Sequence, residues 1–401
     1  MWLPFIIIKM LMMEGSYKMK ICFFGYIGLT KKEGASLSLI NVMEEMVKRG
    51  NEVYFIVNRK ELALQLTRRG IRCVKLLTYT MRQDTDENGI MGTIKYYLKD
   101  LVNRWAIIYG VHKLHQYKFD AIHINGIDNH VGAAIATYLQ VPYFWHIRQF
   151  LQEDLGKRLV REEIVLSYLS KANGVIGISE AVKIKYENVL KRPVRVIYNG
   201  IPLQNYDLGE VSRFTEERTR ILLAGRITEN KGQIEAVQAV AELKNRGINK
   251  VTLTLVGNAE TEYLTKIKRI IKDERIENFV RILDYCDDLN ELRRNSDIGL
   301  VCSKNEAFGR VTVEYMCAEM LVIGANTGGT VELIKEGETG LLYQQGNADS
   351  LANQIEYAIK NSMDMKRIAK NSKEYAFSNF SIARVCDEIL ELYSHPEIPF
   401  I

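Results

Sequence analysis

A chain of 401 residues is long enough for two domains with full cores, and 47% apolar with 26% charged residues is ordinary for a soluble globular protein. The six cysteines, at 22, 73, 286, 302, 317 and 386, show neither Cys-x-x-Cys nor zinc spacing, which excludes a cysteine-based metal site and predicts reduced thiols in a cytosolic compartment. The net charge of +5 is unevenly placed: residues 1–200 hold 29 Lys and Arg against 18 Asp and Glu (+11), and residues 201–401 hold 25 against 31 (−6). That split points to an anionic surface or acceptor met by the N-terminal half, although scattered surface charge gives the same count.

The apolar run at residues 2–13 is too short and interrupted to span a bilayer, and it lacks the basic start and cleavage site of a signal peptide. Met19-Lys20-Ile21 opens a well-formed strand, so translation is expected to begin at Met19, with a short hydrophobic anchor as the alternative. Lys20 to Phe24 is the first predicted strand. A loop through Lys31-Lys32-Glu33-Gly34-Ala35-Ser36 leads to a helix ending at Gly50, and Asn51 to Val57 is the second strand. The absence of Gly-x-Gly-x-x-Gly between them argues against an ordinary dinucleotide site. Asp84-Thr-Asp-Glu-Asn-Gly89 mimics the start of an EF-hand loop, but its twelfth position is Lys95, where a bidentate Glu is required. A polar surface loop is the better reading, also for its Asp-x-Asp spacing.

Residues 93–118 are predicted as one long helix carrying Tyr96, Tyr97, Trp105 and Tyr109. Its Lys95, Lys99, Arg104, Lys113 and Lys118 are balanced by Asp100 alone. Such a helix fits a membrane surface, or a core contact with snorkelling lysines. His112 and His115 on it have no third ligand and make a weak metal pair. Strands follow at Phe119–Ile124 and Tyr143–Trp145, with His146 at the carboxyl end of the latter. There a ligand-facing histidine and a satisfied interior one both fit. Val175–Ser179 and Val194–Tyr198 complete the first series, and the polar stretch Leu203–Thr219 is the linker to a second.

In that second series Ile221–Ala224 is a strand, followed by the basic, Gly-bounded loop Gly225-Arg226-Ile-Thr-Glu-Asn-Lys231-Gly232 before a helix. Arg226 as a fork and Lys231 as a point charge can neutralise a diphosphate there. Val251–Val256 and Val280–Leu283 are further strands, leading into Gly257-Asn258 and Asp284-Tyr285-Cys286. Ile298–Cys302 is a buried strand, and Val311, Tyr315 and Ala318 then recur at helical spacing before the strand Leu321–Ile323. A helix starting near Gly309-Arg310 points free N–H groups at the crevice, which suits phosphate. Glu306 and Glu314 bracket this anion site; carboxylates only accept, so they suit hydroxyl donors. Phosphate flanked by polyols describes a nucleotide sugar; a solvated loop Glu and a helix-start Glu favoured by the dipole is the other reading of the pair, and taken alone the spacing favours it. Helices are predicted over 349–360, 365–377 and 380–393.

Glu306-Ala-Phe-Gly-Arg-Val-Thr-Val-Glu314, followed by Asn326-Thr-Gly-Gly-Thr-Val-Glu-Leu-Ile334 and Gly337-Glu-Thr-Gly-Leu-Leu342, resembles the family-4 retaining glycosyltransferases of the GT-B fold. The resemblance covers about residues 19–394. It implies two facing doubly wound Rossmann-like α/β domains with an interdomain cleft. Residues 19–202 would bind acceptor, 203–379 would bind the donor, and the helix 380–394 would cross back. By the same resemblance Arg226 and Lys231 hold the diphosphate, Glu306 the donor sugar hydroxyls and Glu314 the ribose. The N–H groups of Phe308, Gly309 and Arg310 line the sugar, and those of Val311 and Thr312 meet the distal phosphate. Gly257 lies beside the nucleotide, and Tyr285 and Cys286 hold the base through backbone groups; Asp284 stands where the family usually has Gly. Gly34 matches a Gly-rich loop facing the donor phosphates, whose second Gly is Ala35 here. Trp145-His146-Ile147-Arg148 is similar to a segment of bacterial polysaccharide transferases in which the His sits by acceptor and donor sugar.

The implied reaction moves a sugar from a UDP- or GDP-sugar to an acceptor hydroxyl with retention, in cell-surface polysaccharide or glycolipid synthesis. It needs no cofactor and no metal, the nucleotide sugar being a substrate. A lipid-linked or glycan acceptor and peripheral contact with an anionic membrane, on the cytoplasmic face, are the expected partners; nucleic acid is not. A nucleotide-sugar 2-epimerase and a catalytically silent scaffold in a polysaccharide assembly are the rival readings.

Overall fold

Short apolar runs bounded by Gly and polar residues become parallel strands because both faces of such a sheet are covered. The structure, a computed structural model, describes residues 18–28, 34–85, 90–215 and 217–397. The apolar run at 2–13, the Lys31–Glu33 loop and the stretch 86–89 lie outside the described residues. The chain divides into two units: residues up to Gly200 together with those from Ile382 on, and Ile201–Ser381.

The first unit holds a seven-stranded parallel sheet. Its strands are β1 (Lys20–Gly25), β2 (Glu52–Val57), β3 (Arg72–Lys75), β5 (Ala121–Asn125), β6 (Tyr143–Ile147), β8 (Gly174–Gly177) and β9 (Arg195–Val196), in spatial order 3-2-1-5-6-8-9. A separate antiparallel pair joins β4 (Arg82–Asp84) to β7 (Lys157–Leu159), with Asp84 opposite Lys157 and its carboxylate 2.6 Å from the Lys157 Nζ. Asp84 is thus a ladder residue with its own counter-charge. The middle strands are buried on both faces: Phe23, Phe55 and Phe144 pack with Leu39 and Met43 of the helix Gly34–Lys48 and with Ile389 and Leu392 of the helix Ile382–Ser394. That last helix begins at Ile382 rather than at 380, because Phe380 packs in the second unit against the rings of Phe308 and Tyr375.

The second unit holds a six-stranded parallel sheet of β10 (Thr219–Ala224), β11 (Val251–Val256), β12 (Val280–Leu283), β13 (Ile298–Val301), β14 (Leu321–Ala325) and β15 (Leu341–Tyr343), ordered 12-11-10-13-14-15. Leu253, Leu255, Ile298 and Leu300 form its core with Val237, Val240 and Ile355 from covering helices. Both sheets are doubly wound. Strand order reverses between β1 and β5 in the first and between β10 and β13 in the second, so the loops leaving those strands flank the crevice where such sheets bind ligands.

One packing device fixes the second crevice. Gly299 of β13 has no side chain, and a Cβ there would come within 2.4 Å of the Tyr315 ring. Tyr315 therefore lies flat on the strand, and its hydroxyl accepts the Ala224 N–H at 2.8 Å, at the carboxyl end of β10. The helix Arg310–Cys317 is pinned across both strands of the reversal.

The long helix runs over Ile90–Leu114 and ends in a 3-10 turn, His115–Tyr117. The core-contact reading fails for most of its aromatics. Tyr96, Asp100, Asn103 and Ala106 face inward, whereas Tyr97, Trp105 and Tyr109 are exposed together with Ile94, Leu98 and Ile108. The inner positions are filled by polar bonds, Asn103 pairing with the Tyr79 backbone and Asp100 with Arg104 and Arg161.

Candidate active site

Three loops at the carboxyl edge of the second sheet are stitched to one another by their backbones. The loop after β10 ends in a 3-10 turn, Glu229–Lys231, and Gly232, whose φ is +68°. A Cβ at Gly232 would sit 2.1 Å from the Cys302 carbonyl, so only glycine lets this loop approach the end of β13. The Lys304 N–H donates to the Asn230 carbonyl at 2.9 Å, and the Gly329 N–H, after β14, donates to the Glu306 carbonyl at 2.6 Å.

This stitching brings Lys231 to Glu306, which are 75 residues apart. The Lys231 ammonium lies 2.7 Å from the Glu306 carboxylate and 3.3 Å from the Ser303 hydroxyl, and Ser303 donates to the same carboxylate oxygen at 3.0 Å. Burial pushes the Glu306 carboxyl up, but the Lys231 charge and hydrogen bonds from Lys231, Ser303 and the Gly309 N–H outweigh it and hold the group below its ordinary value. The Gly309 N–H is thus turned to Glu306. Arg226 is on the same loop as Lys231, exposed, and its side chain has no partner among the described residues.

Glu314 is one helical turn inside the helix Arg310–Cys317 and is buried. Arg310 donates to one of its oxygens at 2.9 Å, and Arg293 donates to the other. Tyr206 organises both guanidiniums: its hydroxyl takes a hydrogen bond from Arg310 at 3.0 Å, and Arg293 lies 5.0 Å over its ring. Lys231 pairs with Glu306, Lys304 with Glu229, and both Arg293 and Arg310 with Glu314, so with Arg226 the loops after β10 and β13 and the residues on Glu314 hold five cations against three carboxylates, a surplus of +2. That surplus suits a diphosphate. The Thr312 N–H donates to the Gly309 carbonyl at 2.9 Å, and the Thr312 hydroxyl is buried with no hydrogen-bond partner among the described residues. The Val311 and Arg310 positions open the helix as expected.

Gly257 follows β11, and its N–H donates to the Leu283 carbonyl at 3.2 Å, tying it to the end of β12. Tyr285 and Cys286 follow β12 on the same edge. The Cys286 thiol donates to the Asp288 carbonyl, and burial, with Asp287 beside it, pushes the Tyr285 phenol up to about 12.

Gly34 and His146 belong to the first unit. Gly34 begins the helix Gly34–Lys48, whose Ser36 accepts the Gly28 N–H at 3.2 Å. His146 is the penultimate residue of β6 and fully buried. Neither of its ring nitrogens has a hydrogen-bond partner among the described residues. It packs edge-on at 5.3 Å against His123, whose Nδ1 is 2.6 Å from the Tyr393 hydroxyl. Burial first, and then the Arg148 charge, hold both imidazoles well below their ordinary pKa, so both are neutral at pH 7. Arg148 itself donates to the side-chain oxygens of Asn125, at 2.7 Å, and Asn199.

Sequence reading missed Arg293, Tyr206 and Ser303 as site residues. Arg293 sits in Asn290-Glu-Leu-Arg-Arg294, a pattern that reads as a solvated helix face, and Tyr206 lies in the polar linker. Neither carries a local signal, because Arg293 reaches Glu314, and Tyr206 reaches Arg310 and Arg293, only through tertiary contact.

A family model of group 1 glycosyl transferases matches residues 208–375, and one of Glycosyltransferase Family 4 matches residues 33–205. An uncharacterized glycosyltransferase of Methanocaldococcus jannaschii is 25% identical over 297 residues, 69% of this chain and 75% of that protein. The capsular polysaccharide biosynthesis glycosyltransferase CapM of Staphylococcus aureus is 25% identical over 237 residues. That match takes in 56% of this chain but only 62% of CapM, less than two thirds of its length. In fold, the chain is similar to Anabaena HepE in complex with UDP, with a TM-score of 0.76 at 23% identity, covering 94% of this chain and 100% of that one.

Proposed function

The chain belongs to the family-4 type of GT-B glycosyltransferases, and from that premise we propose that it moves a sugar from a nucleoside-diphosphate sugar to an acceptor hydroxyl, with retention. The observation that carries the reading is the Lys231–Glu306 pair set beside the opening of the helix Arg310–Cys317 at the strand reversal of the second sheet. Arg226, Lys231 and the helix N-terminus neutralise the diphosphate as it leaves. Glu306 and Glu314 accept hydrogen bonds from the sugar and ribose hydroxyls. HepE, which shares the fold, has also been solved with UDP-glucose, which supports a nucleotide-sugar donor.

In the reaction the bond from the anomeric carbon to the phosphate oxygen breaks and a bond to the acceptor oxygen forms on the same face. The acceptor proton passes to the departing phosphate, so no protein nucleophile is needed. Glu306 is held by Lys231 and Ser303, which suits a hydroxyl acceptor more than a nucleophile. Neutral His146 hydrogen-bonds sugar or acceptor without adding charge.

We place the acceptor at an anionic leaflet, in cell-surface polysaccharide or glycolipid synthesis. The support is the outward face of the helix Ile90–Leu114, where Trp105 is 72% exposed, Ile108 65% and Tyr97 63%. Lys95, Lys99 and Lys113 lie along the same helix. Aromatic and aliphatic side chains edged by lysine match a headgroup boundary. Among the described residues no helix is long and apolar enough to cross a membrane, and we take the contact through this helix as peripheral.

The test is a thermal-shift screen against UDP- and GDP-sugars. A ligand at 100 times its Kd adds about 2.7 kcal/mol. Stabilisation by one nucleotide family, lost in Lys231→Ala, is expected; no response to any nucleotide sugar refutes the reading.

A further inference from the structure

We propose that Arg148, His146 and His123 form a phosphoryl-binding site in the first unit, so that the acceptor carries a phosphate held by Arg148. This rests on the transferase reading and adds the chemical class of the acceptor.

Arg148 is a buried charge that lacks a counter-charge among the described residues. Arg148 follows β6 directly and is 4% exposed. A buried guanidinium ordinarily sits against a carboxylate or phosphate, because desolvating it alone is costly. Here its Nε and Nη1 donate to the neutral amide oxygens of Asn125 and Asn199, and no carboxylate pairs with it among the described residues. Burial dominates its surroundings and pushes it down to about 9, which leaves it charged at neutral pH.

Nη2 has no hydrogen-bond partner among the described residues. The same is true of both His146 ring nitrogens and of the His123 Nε2, all buried. His146 and Arg148 lie at the carboxyl end of β6 beside Asn125, the last residue of β5, next to the strand reversal between β1 and β5 where an open α/β sheet takes its ligand, and His123, in the middle of β5, packs against His146. The two Asn contacts also fix the guanidinium in orientation, leaving the two Nη2 hydrogens as its undonated edge. That edge matches two oxygens of a tetrahedral anion. The neutral imidazoles, each with one N–H, can meet a third oxygen. A neutral sugar would satisfy the imidazoles but not the charge. Phosphate satisfies both.

The test is calorimetry on the full chain with inorganic phosphate, octyl phosphate and neutral octyl glucoside. It is run after saturation with whichever of UDP or GDP binds, so that the donor loops are occupied. Octyl phosphate is expected to bind and octyl glucoside not. Arg148→Gln weakens octyl phosphate by about ten- to a hundred-fold, the loss of a charged hydrogen bond, while Arg148→Lys, which keeps the charge, loses less. Nucleoside-diphosphate affinity is the same in all three proteins. If octyl phosphate binds at least tenfold tighter than inorganic phosphate, the source is a lipid; equal affinity assigns a soluble phosphorylated acceptor.

Arg148→Gln also keeps or raises the melting temperature of the free protein, because an uncompensated buried charge is gone. A melting temperature several degrees lower with phosphate affinity unchanged would overturn the site and make Arg148 a clamp between two asparagines. Failure of wild-type protein to bind any nucleoside diphosphate would instead refute the transferase reading.

Discussion

Replacing either member of the Lys231–Glu306 pair separates folding from binding. The two side chains keep 31% and 21% of their exposure, so the pair is worth about 0.2–1 kcal/mol to stability, the range of solvated ion pairs. A hydrogen bond from Lys231 to a bound diphosphate contributes about 1.5–3 kcal/mol. Lys231→Ala should therefore melt within a few degrees of wild type yet bind nucleoside diphosphate about ten- to a hundred-fold more weakly. Glu306→Gln behaves differently. In the free protein Glu306 competes with the diphosphate for the Lys231 ammonium at 2.7 Å. Neutralising it releases Lys231, so nucleoside-diphosphate affinity stays level or rises a few-fold while sugar transfer falls. Calorimetry with the nucleoside diphosphate and a transfer assay on both variants decide the matter. Equal loss of affinity in Glu306→Gln and Lys231→Ala would show that Glu306 holds the nucleotide itself, and the assignment of Glu306 to the sugar would be wrong.

His123 and His146 have folded pKa values held well below 6.5, so their contribution to stability is full above about pH 6.5 and is lost as pH falls toward the folded values. Urea melts between pH 7 and 5 should show it, and His146→Gln should flatten the slope by about 1.4 kcal/mol per pH unit, one proton's worth; an unchanged slope would mean His146 titrates normally. Transfer in excess EDTA should persist, because Arg226, Lys231 and the helix N-terminus supply positive charge; abolition rescued by manganese or magnesium would contradict this. Selective cosedimentation with anionic vesicles should be reduced by Trp105→Ser and by high salt. Indifference of wild-type protein to anionic vesicles at low salt would remove the helix Ile90–Leu114 from any docking role.

The strands that form the middle of each sheet were legible because burial on both faces demands continuous apolar runs. Val251–Val256 and Val280–Leu283 are found at the bounds their sequence predicts, and β1, β10 and β13 shift by one or two residues. The pieces that escaped are short or half-exposed. Arg72–Lys75 at a sheet edge and the Arg82–Asp84 and Lys157–Leu159 pair have no apolar run, since few of their side chains enter a core. At the candidate site, the Glu spacing alone left the reading open, and it was the resemblance of the Glu306–Glu314 stretch that singled out the loops the structure joins. What spacing cannot show is pairing between distant residues. Arg293 meets Glu314 across 21 positions, and Arg148 meets Asn199 across 51. The reversed amphipathicity of Ile90–Leu114 was hidden for a related reason: the sequence shows an apolar stripe but not which stripe faces the protein.

The central claim is transfer with retention, and proton NMR of one reaction mixture tests it most directly. The protein is incubated with the nucleotide sugar that stabilises it and an acceptor, in EDTA, and the anomeric proton is followed. Nucleoside diphosphate is expected to be released together with a glycoside whose anomeric coupling matches the donor. An inverted glycoside would contradict retention, and a free sugar isomer formed without acceptor would contradict transfer and establish a 2-epimerase.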